Sequence, residues 1–180
     1  MSQRVTVFGA GAWGSTMAQV LHDAGNDVLL WGRSDEVVAE INSSHTNQKY
    51  LDRHVLPAEL RATSDLQEAF DHSHVYVLAI PAQQLRPMLA EWKPLVSADA
   101  IVVSTLKGIE ISTQMRMTEI ITEMWGSSKV GVITGPNLAD ELVLRQPAGA
   151  VAAAPTQDLA DFIRELFRTP YYRTYTSTDV

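Results

Sequence analysis

The sequence predicts an α/β protein built on a doubly wound, mostly parallel sheet with helices on both faces. Short apolar runs typical of buried strands alternate along the chain with segments of helical periodicity. The run Val75–Ile80 is continuously apolar, as expected of a parallel strand covered on both faces. A glycine-rich turn of the form G-x-G-x-x-G joins the first predicted strand to the first predicted helix. These observations together indicate repeated strand, helix, strand units.

The composition is that of one globular domain over residues 1–180, since 46% of the residues are hydrophobic and 19% are charged. A net charge of −7 argues against nucleic acid or an anionic membrane as a general partner. The chain has no cysteine, which excludes disulfides and thiolate metal sites. Met1–Arg4 leads directly into the first strand, and no apolar run reaches the roughly 18–20 residues that span a bilayer. We therefore expect no signal peptide, no membrane insertion and a cytoplasmic location.

Each glycine of the turn has its own predicted task. Gly9 allows the sharp turn after the strand Arg4–Phe8, Gly11 lets a pyrophosphate approach the backbone, and Gly14 lets the helix pack closely on the sheet. The following helix, Ser15–Ala24, would direct its unpaired N–H groups and the positive end of its dipole at phosphates. This context predicts a Rossmann-type dinucleotide site. The alternative is a purely structural glycine turn.

The end of the second predicted strand, Asp27–Trp31, bears on the choice of cofactor. An acidic residue at this point binds the ribose 2′-hydroxyl of NAD, whereas an arginine accommodates the 2′-phosphate of NADP. Arg33 follows the strand, and Asp35 comes too late to lie at the strand end. The sequence therefore favours NADP over NAD. The alternative is a solvated Arg33 and use of both cofactors.

The remaining elements are expected in alternation. Ser34 is expected to cap a helix over Asp35–Asn42. The predicted strands are Arg61–Thr63, Val75–Ile80, Ala100–Ser104, Val130–Thr134, Ala148–Ala154 and the edge strand Tyr171–Ser177. Helices are predicted over Leu66–Phe70 and Asn137–Leu144. Three further helices are predicted from their apolar positions, which are Leu85, Met88 and Leu89 in one, Met117, Ile120, Ile121 and Met124 before a terminating Gly126 in the next, and Leu159, Phe162, Ile163 and Leu166 in the last. The histidines lack the spacing of metal ligands, so no metal site is expected.

The polar stretch Ser43–Leu60 has no sustained period. We expect a long ordered loop rather than a linker, because it contains four apolar side chains that could pin it. These are Tyr50, Leu51, Val55 and Leu56. A functional lid and a structural excursion are both open interpretations.

Two loops are candidates for the chemistry. Lys107 follows the strand Ala100–Ser104 and so falls at the edge of the sheet where ligands bind. Its ammonium could polarise a substrate carbonyl as negative charge develops during hydride transfer, although a solvated loop lysine is the alternative. Gly135 and Asn137 follow the next strand, where free N–H groups could bind a polar substrate group. Pro81-Ala82-Gln83, at the end of its strand, is expected beside the dinucleotide, and Pro81 could also simply start a helix.

Several segments, in this order, resemble the N-terminal domain of the bacterial-type NAD(P)-dependent glycerol-3-phosphate dehydrogenase family. They are GAGAWG, LLWGR, the N-x-x-Y-L loop from Asn47 to Pro57, ATSDL, AIPAQ, LKGIE and TGPNLADEL. The resemblance implies reversible reduction of dihydroxyacetone phosphate to sn-glycerol 3-phosphate, a precursor of glycerophospholipids, with NADP as the preferred cofactor or NAD in its place.

The resemblance also assigns residues by position. The family's cofactor contacts fall on Ala12, Trp13, Arg33, Lys107 and Ala139, and its substrate contacts fall on Lys107, Gly135 and Asn137. Asn137 stands where the family usually has serine or threonine, and Ala12 stands where serine is frequent. Asparagine can still donate and accept a hydrogen bond, which keeps a substrate contact open.

Family members continue into an all-helical C-terminal domain that supplies a second lysine, and that domain is absent from this chain. The resemblance therefore implies that residues 1–180 are the dinucleotide-binding domain, a fragment of a longer two-domain enzyme for a small phosphorylated substrate. Lys107 is then a supporting catalytic residue, and the full-length enzyme could be a homodimer. Two alternatives are a non-catalytic dinucleotide-sensing module and a related reductase such as 2-dehydropantoate reductase. A sensor would not need the Lys107 and Gly135 loops.

Overall fold

Eight strands form one sheet in the computed structural model, which describes residues 2–180. They are β1 Arg4–Phe8, β2 Asp27–Trp31, β3 Arg61–Thr63, β4 Val75–Leu78, β5 Ile101–Ser104, β6 Val130–Thr134, β7 Ala148–Ala153 and β8 Tyr172–Ser177. Their order across the sheet is β3-β2-β1-β4-β5-β6-β7-β8. All neighbours are parallel except β6 and β7, which are antiparallel. The strand order reverses between β1 and β4, which opens a crevice at their carboxyl ends.

The helices alternate with the strands. They are α1 Ala12–Asp23, α2 Asp35–Ser44, α3 Gln48–Leu51, α4 Leu66–His72, α5 Leu85–Trp92, α6 Met117–Trp125, α7 Ala139–Val143 and α8 Gln157–Leu166. Short 3₁₀ turns at Ala82–Gln84 and Lys93–Leu95 flank α5. Within residues 2–180, none of the helices combines the length and the apolar character that crossing a membrane requires.

Side chains alternate between two cores because successive residues of a strand point to opposite faces. Val5 and Val7 belong to the core on one face, which α1, α2, α7 and α8 cover. Phe8, Tyr76 and Leu78 belong to the core on the other face, which α4, α5 and α6 cover. The second core is rich in aromatic rings, with the centroids of Phe8 and Trp92 5.0 Å apart. The doubly wound, mostly parallel sheet predicted from the sequence is confirmed.

Three predicted boundaries near the crevice are wrong. α1 begins at Ala12 rather than Ser15, because the second half of the glycine motif is already its first turn. β4 ends at Leu78 rather than Ile80, since the last hydrogen bond between β1 and β4 runs from the N–H of Ala79 to the carbonyl of Phe8. α7 begins at Ala139 rather than Asn137 because Leu138 is extended, with φ −106° and ψ 139°.

The stretch Ser43–Leu60 is more structured than the predicted loop. α2 runs two residues further than expected, α3 forms within the stretch, and Thr46 pairs with Val55 in an isolated antiparallel bridge. Leu51 and Leu56 are buried as predicted. Tyr50 and Val55 do not pin the stretch, since they are 43% and 63% exposed.

Smaller differences occur at other ends. α4 continues to His72 rather than Phe70, and α7 ends at Val143 rather than Leu144, whereas α6 ends at Trp125, directly before Gly126 as predicted. β5 begins at Ile101, β7 ends at Ala153 and β8 begins at Tyr172, each one residue inside the predicted strand. Such shifts arise where a terminal residue lacks a ladder partner or where a helix frays.

Candidate functional site

A cleft of about 1500 Å³ lies along the carboxyl ends of β1, β2, β4 and β5. Most of the residues predicted for the site line this cleft. They are Gly9, Gly11, Ala12, Trp13, Arg33, Pro81, Lys107, Asn137 and Ala139. Gly14 and Gly135 do not line it. The fold therefore brings together segments that are far apart in the sequence, as expected for the edge of a sheet where ligands bind.

The glycines of the turn between β1 and α1 have different surroundings. Gly9 has a φ of +121°, and a Cβ there would lie 2.4 Å from the carbonyl oxygen of Ala79. A Cβ on Gly14 would lie 1.7 Å from the carbonyl oxygen of Gly9, so this glycine allows α1 to close on the turn. A Cβ on Gly11 would meet no heavy atom within 4 Å. Only Gly11 thus faces open space in the cleft.

The N-terminus of α1 opens onto the cleft with unpaired donors. The first bond within the helix runs from the N–H of Ser15 to the carbonyl of Gly11, so the N–H groups of Ala12 and Trp13 precede it. No side chain caps this end, and its first turn has no acidic residue. The N–H groups and the helix dipole together favour an anion here.

The end of β2 presents a cation to the cleft. Arg33 is exposed and lines the cleft, whereas Asp35 does not. Ser34 caps α2 as predicted, since its hydroxyl oxygen accepts a hydrogen bond from the N–H of Val37 at 3.5 Å. No carboxylate follows β2 into the cleft, so nothing there opposes a phosphate beside Arg33.

Lys107 reaches across the cleft from the loop after β5. Its Nζ donates to the main-chain carbonyl of Asn137 at 3.4 Å and lies 5.4 Å from the centre of the Trp13 ring. An ammonium over a tryptophan face is attracted by the ring electrons. Lys107 is exposed, and through these two contacts its side chain joins the start of α1 to the segment after β6.

Asn137 and Gly135 are engaged within the fold. Asn137 is 7% exposed, and its amide nitrogen donates to the hydroxyl oxygen of Tyr172 at 3.4 Å. Burial raises the pKa of the Tyr172 hydroxyl, so this group stays neutral. A Cβ on Gly135 would lie 2.5 Å from the carbonyl oxygen of Gly149, which makes Gly135 a site of close packing between β6 and β7.

A second wall of the cleft was not predicted as part of the site. Asn47 is fully buried and its amide nitrogen donates to the carbonyl of Ala10 at 3.0 Å and to the hydroxyl oxygen of Ser15 at 2.9 Å. These bonds hold α3 against the glycine turn, so Lys49 and Tyr50 line the cleft. The only signal in the sequence was the N-x-x-Y-L pattern, to which no role was assigned.

The charges of the cleft are opposite to those of the chain. Its lining includes the cations Arg33, Lys49 and Lys107 but only one carboxylate, that of Glu91. The chain as a whole has a net charge of −7. The positive charge of the cleft would attract an anionic ligand to this place, although the chain as a whole is negative. Among residues 2–180, no group of three or more histidine, aspartate or glutamate side chains could hold a metal ion.

An apolar wall completes the cleft beyond β2 and β4. Its residues are Trp31, Leu66, Met88 and Trp92, with Ile80 beside them. The sequence could not identify them, because each reads as an ordinary core residue of its own strand or helix. Flat apolar surface next to cations suits a planar heterocycle that carries phosphates.

A family model described as "NAD-dependent glycerol-3-phosphate dehydrogenase N-terminus" matches residues 4–160. The protein named glycerol-3-phosphate dehydrogenase [NAD(P)+] of Corynebacterium glutamicum is 46% identical over 178 residues, which are 98% of this chain and 54% of that protein. The protein of the same name from Streptomyces avermitilis is 45% identical over 179 residues, 98% of this chain and 53% of that protein. The chain spans about half the length of the curated relatives it matches.

Solved structures are similar over nearly the whole chain. A glycerol-3-phosphate dehydrogenase from Saccharomyces cerevisiae superposes with a TM-score of 0.86 at 26% identity, covering 98% of this chain and 56% of that one. A glycerol-3-phosphate dehydrogenase from Coxiella burnetii superposes with a TM-score of 0.91 at 24% identity, covering 99% and 55%. At that identity the second likeness concerns the fold alone.

Proposed function

Since the chain belongs to the NAD-dependent glycerol-3-phosphate dehydrogenase family, matched in that family's N-terminal region, we propose that it is the cofactor-binding part of an enzyme for glycerol 3-phosphate. The reaction is the reversible reduction of dihydroxyacetone phosphate to sn-glycerol 3-phosphate. In the direction of reduction the product is a precursor of glycerophospholipids.

The residues of the cleft fit a nicotinamide dinucleotide. The unpaired N–H groups of Ala12 and Trp13 would hold the pyrophosphate, and the open space at Gly11 leaves room for it. Arg33 would pair with a 2′-phosphate, which supports NADP as the preferred cofactor. Pro81 and Ala139 lie along the same cleft and would flank the bound molecule.

A reduced nicotinamide bound in this cleft would supply a hydride to the carbonyl carbon of the substrate, which would place negative charge on the carbonyl oxygen. Lys107 is the group of this chain that would donate a hydrogen bond to that oxygen and stabilise the charge. The proton that gives the alcohol would come from the second lysine, which the family resemblance implies in the C-terminal domain, so we assign Lys107 a supporting role rather than that of the proton donor. Gly135 and Asn137 are the other proposed substrate contacts.

The observation behind the proposal is that Lys107 lies in the same cleft as the glycine turn, 5.4 Å from the centre of the Trp13 ring. A module that only senses a dinucleotide needs the turn and the helix N-terminus. It has no use for a lysine held above the cleft from another strand. The position of this lysine favours a dehydrogenase.

The proposal is tested in two steps. The 180-residue chain is titrated with NADPH and NADH, with cofactor fluorescence as the signal, and binding of both is expected. The protein that contains this chain is then assayed for NADPH oxidation with dihydroxyacetone phosphate and, separately, with 2-dehydropantoate. Oxidation with dihydroxyacetone phosphate supports the proposal. Binding without turnover of either ketone favours a sensing module, and turnover of 2-dehydropantoate alone favours the related reductase.

A further inference from the structure

The loop that bears Lys107 is fixed firmly on its β5 side. The N–H and the hydroxyl of Thr105 both donate to the carbonyl oxygen of Leu78, at 3.1 and 2.8 Å. Thr105 is only 3% exposed, so water competes little for these bonds. Gly108 follows Lys107 with a φ of +107°, which turns the chain sharply away from the strand. The direction of Lys107 then depends on where the chain is held after Gly108.

Gln83 holds the backbone just after Gly108. Its side-chain nitrogen donates to the carbonyl of Ile109 at 2.8 Å, and its side-chain oxygen accepts from the N–H of Ile111 at 3.1 Å. Both partners are main-chain groups, so the amide fixes the path of the peptide itself. The side chains of Ile109 and Ile111 are 52% and 80% exposed and offer no packing that would do so.

Arg86 holds the residue between them. It donates to the carboxylate of Glu110 at 2.9 Å from Nε and at 3.0 Å from a terminal nitrogen. A further bond at 2.7 Å joins Arg86 to Glu123 on α6. Glu110 is 8% exposed, and paired charges of this geometry are stronger and more directional than neutral hydrogen bonds. Residues 109–111 also pair with their own hairpin, since Ile109 bridges to Arg116 and the N–H of Glu110 donates to the carbonyl of Met115 at 2.9 Å. That hairpin is joined to the start of α5 by the side chains of Gln83 and Arg86.

We propose that Gln83 and Arg86 are positioning residues for Lys107. By holding residues 109–111 they keep the ammonium beside Trp13 and the carbonyl of Asn137. Neither side chain lines the cleft, although Gln83 lies between the lining residues Ala82 and Gln84. The consequence for catalysis rests on the proposed function, but the position of the ammonium can be measured without any substrate.

The position is measured by NMR after reductive methylation with ¹³C-formaldehyde, which keeps the charge of each lysine. The lysines are Lys49, Lys93, Lys107 and Lys129, and the Lys107→Arg variant identifies the signal of Lys107. Because Lys107 lies over the Trp13 ring, the ring current should move its methyl signal away from those of lysines in solvent. The chemical shift of the Lys107 signal therefore reports the distance of its ammonium from the ring. A variant that is less stable but still folded would leave this distance unchanged.

In Gln83→Ala we expect the Lys107 signal to move to the position typical of lysines in solvent. Gln83→Glu keeps the acceptor but removes the donor, so its Lys107 signal should move part of the way. Gln67→Ala is the control, since Gln67 is an exposed glutamine that donates to Asp71 at 2.9 Å away from the cleft. Its Lys107 signal should stay in place. An unchanged signal in folded Gln83→Ala would overturn the inference, as would an equal shift in the control.

A second readout links the position to the reaction. Gln83→Ala should lower kcat/KM for dihydroxyacetone phosphate about three- to tenfold, the range expected for loss of ordinary hydrogen bonds. In a Lys107→Met background it should cause no further loss, because the residue it positions is gone. Additive losses would contradict a role through Lys107. If no protein with this chain reduces the ketone, the proposed function fails, and the NMR signal still decides the positioning role.

Discussion

Gly11 and Gly14 belong to the same turn, but they are glycines for different reasons. A side chain on Gly14 would collide with the carbonyl of Gly9, which is part of the fold itself. A side chain on Gly11 would enter the cleft without touching the protein, and its φ of −78° suits any residue. We therefore expect Gly14 to be needed for folding and Gly11 for binding.

We expect Gly11→Val to abolish dinucleotide binding while the domain stays folded, because the new side chain would take the space of the pyrophosphate. Calorimetric titration measures the binding, and circular dichroism measures the fold. Gly14→Ala is the matched variant, and we expect it to lower the free energy of unfolding by about 3 kcal/mol or more through overpacking. Retained binding in Gly11→Val would remove the basis for the phosphate site.

Arg33 should decide between the two cofactors. We expect Arg33→Ala to weaken NADPH binding on the order of tenfold to a hundredfold, the loss of a charged hydrogen bond to phosphate, with NADH binding little changed. Fluorescence titration with both cofactors measures the ratio of affinities. Arg53→Ala is the control, because Arg53 is exposed but does not line the cleft. An unchanged ratio in Arg33→Ala would rule out this role.

Lys107 should act on the reaction more than on cofactor binding. We expect Lys107→Met to lower kcat/KM for dihydroxyacetone phosphate about a hundredfold, the typical cost of one donor to a developing oxyanion. NADPH affinity should change far less. Lys93→Met tests whether loss of any lysine does the same, since Lys93 is exposed and outside the cleft. Equal losses in the two variants would count against the assignment.

At the scale of elements, the carboxylate of Asp23 at the C-terminal end of α1 connects this helix to two segments that lie far along the chain. Asp23 accepts two hydrogen bonds from Arg145 at 2.8 and 3.0 Å and one from the hydroxyl of Tyr171 at 2.7 Å. Arg145 follows α7, and Tyr171 precedes β8. Burial alone would raise the pKa of Asp23, but the bonds from Arg145 and Tyr171 outweigh it and hold the pKa below its usual range.

A lowered pKa in the folded state makes the ionised Asp23 stabilising above the unfolded pKa of about 3.9. That contribution is lost as the pH falls through the folded pKa. We expect Asp23→Asn to lower the free energy of unfolding by about 2 kcal/mol at pH 7, and the difference from the wild type to shrink below about pH 4. Thermal melts across this range measure it. Asp161→Asn removes an exposed ion pair with Arg164 and should cost much less.

At the scale of the whole molecule, the net charge and the local charge of the cleft oppose each other. The cations of the cleft can contact a bound phosphate directly, whereas the carboxylates other than that of Glu91 lie outside the cleft lining, and salt screens interactions between separated surface charges. Contact attraction should therefore dominate. We expect NADPH affinity to fall as salt rises from about 0.05 to 0.5 M, and to fall more than NADH affinity. A rise in affinity would mean that repulsion by the net charge dominates.

The sequence predicted the sheet well because its signals are local. The continuous apolar run before Pro81 and the glycine turn identify buried strands and their carboxyl ends without any knowledge of tertiary structure. The family predicted from the motifs is likewise confirmed. Strand order was not predicted, and neither was the reversal of direction at β7, because register depends on partners distant in the chain.

The site was predicted less completely than the sheet. Lys107 and Arg33 could be found because each follows a strand end directly. Lys49 could not, since its place beside the glycine turn depends on the two hydrogen bonds of Asn47, a residue with no local signal of burial. The engagement of Asn137 with Tyr172 was hidden for the same reason, because the two residues meet only after β8 joins the sheet.

The antiparallel junction between β6 and β7 has a practical consequence for optical labelling. It turns the carboxyl end of β7 to the edge of the sheet opposite the cleft, where Pro155 lies exposed in the turn before α8. Because the chain contains no cysteine, a single cysteine introduced at position 155 would accept one thiol-reactive dye. Such a dye would be insensitive to whatever occupies the cleft. A separate variant with its single cysteine at position 50, on the cleft wall, would report occupation of the cleft, with the dye at position 155 as its reference.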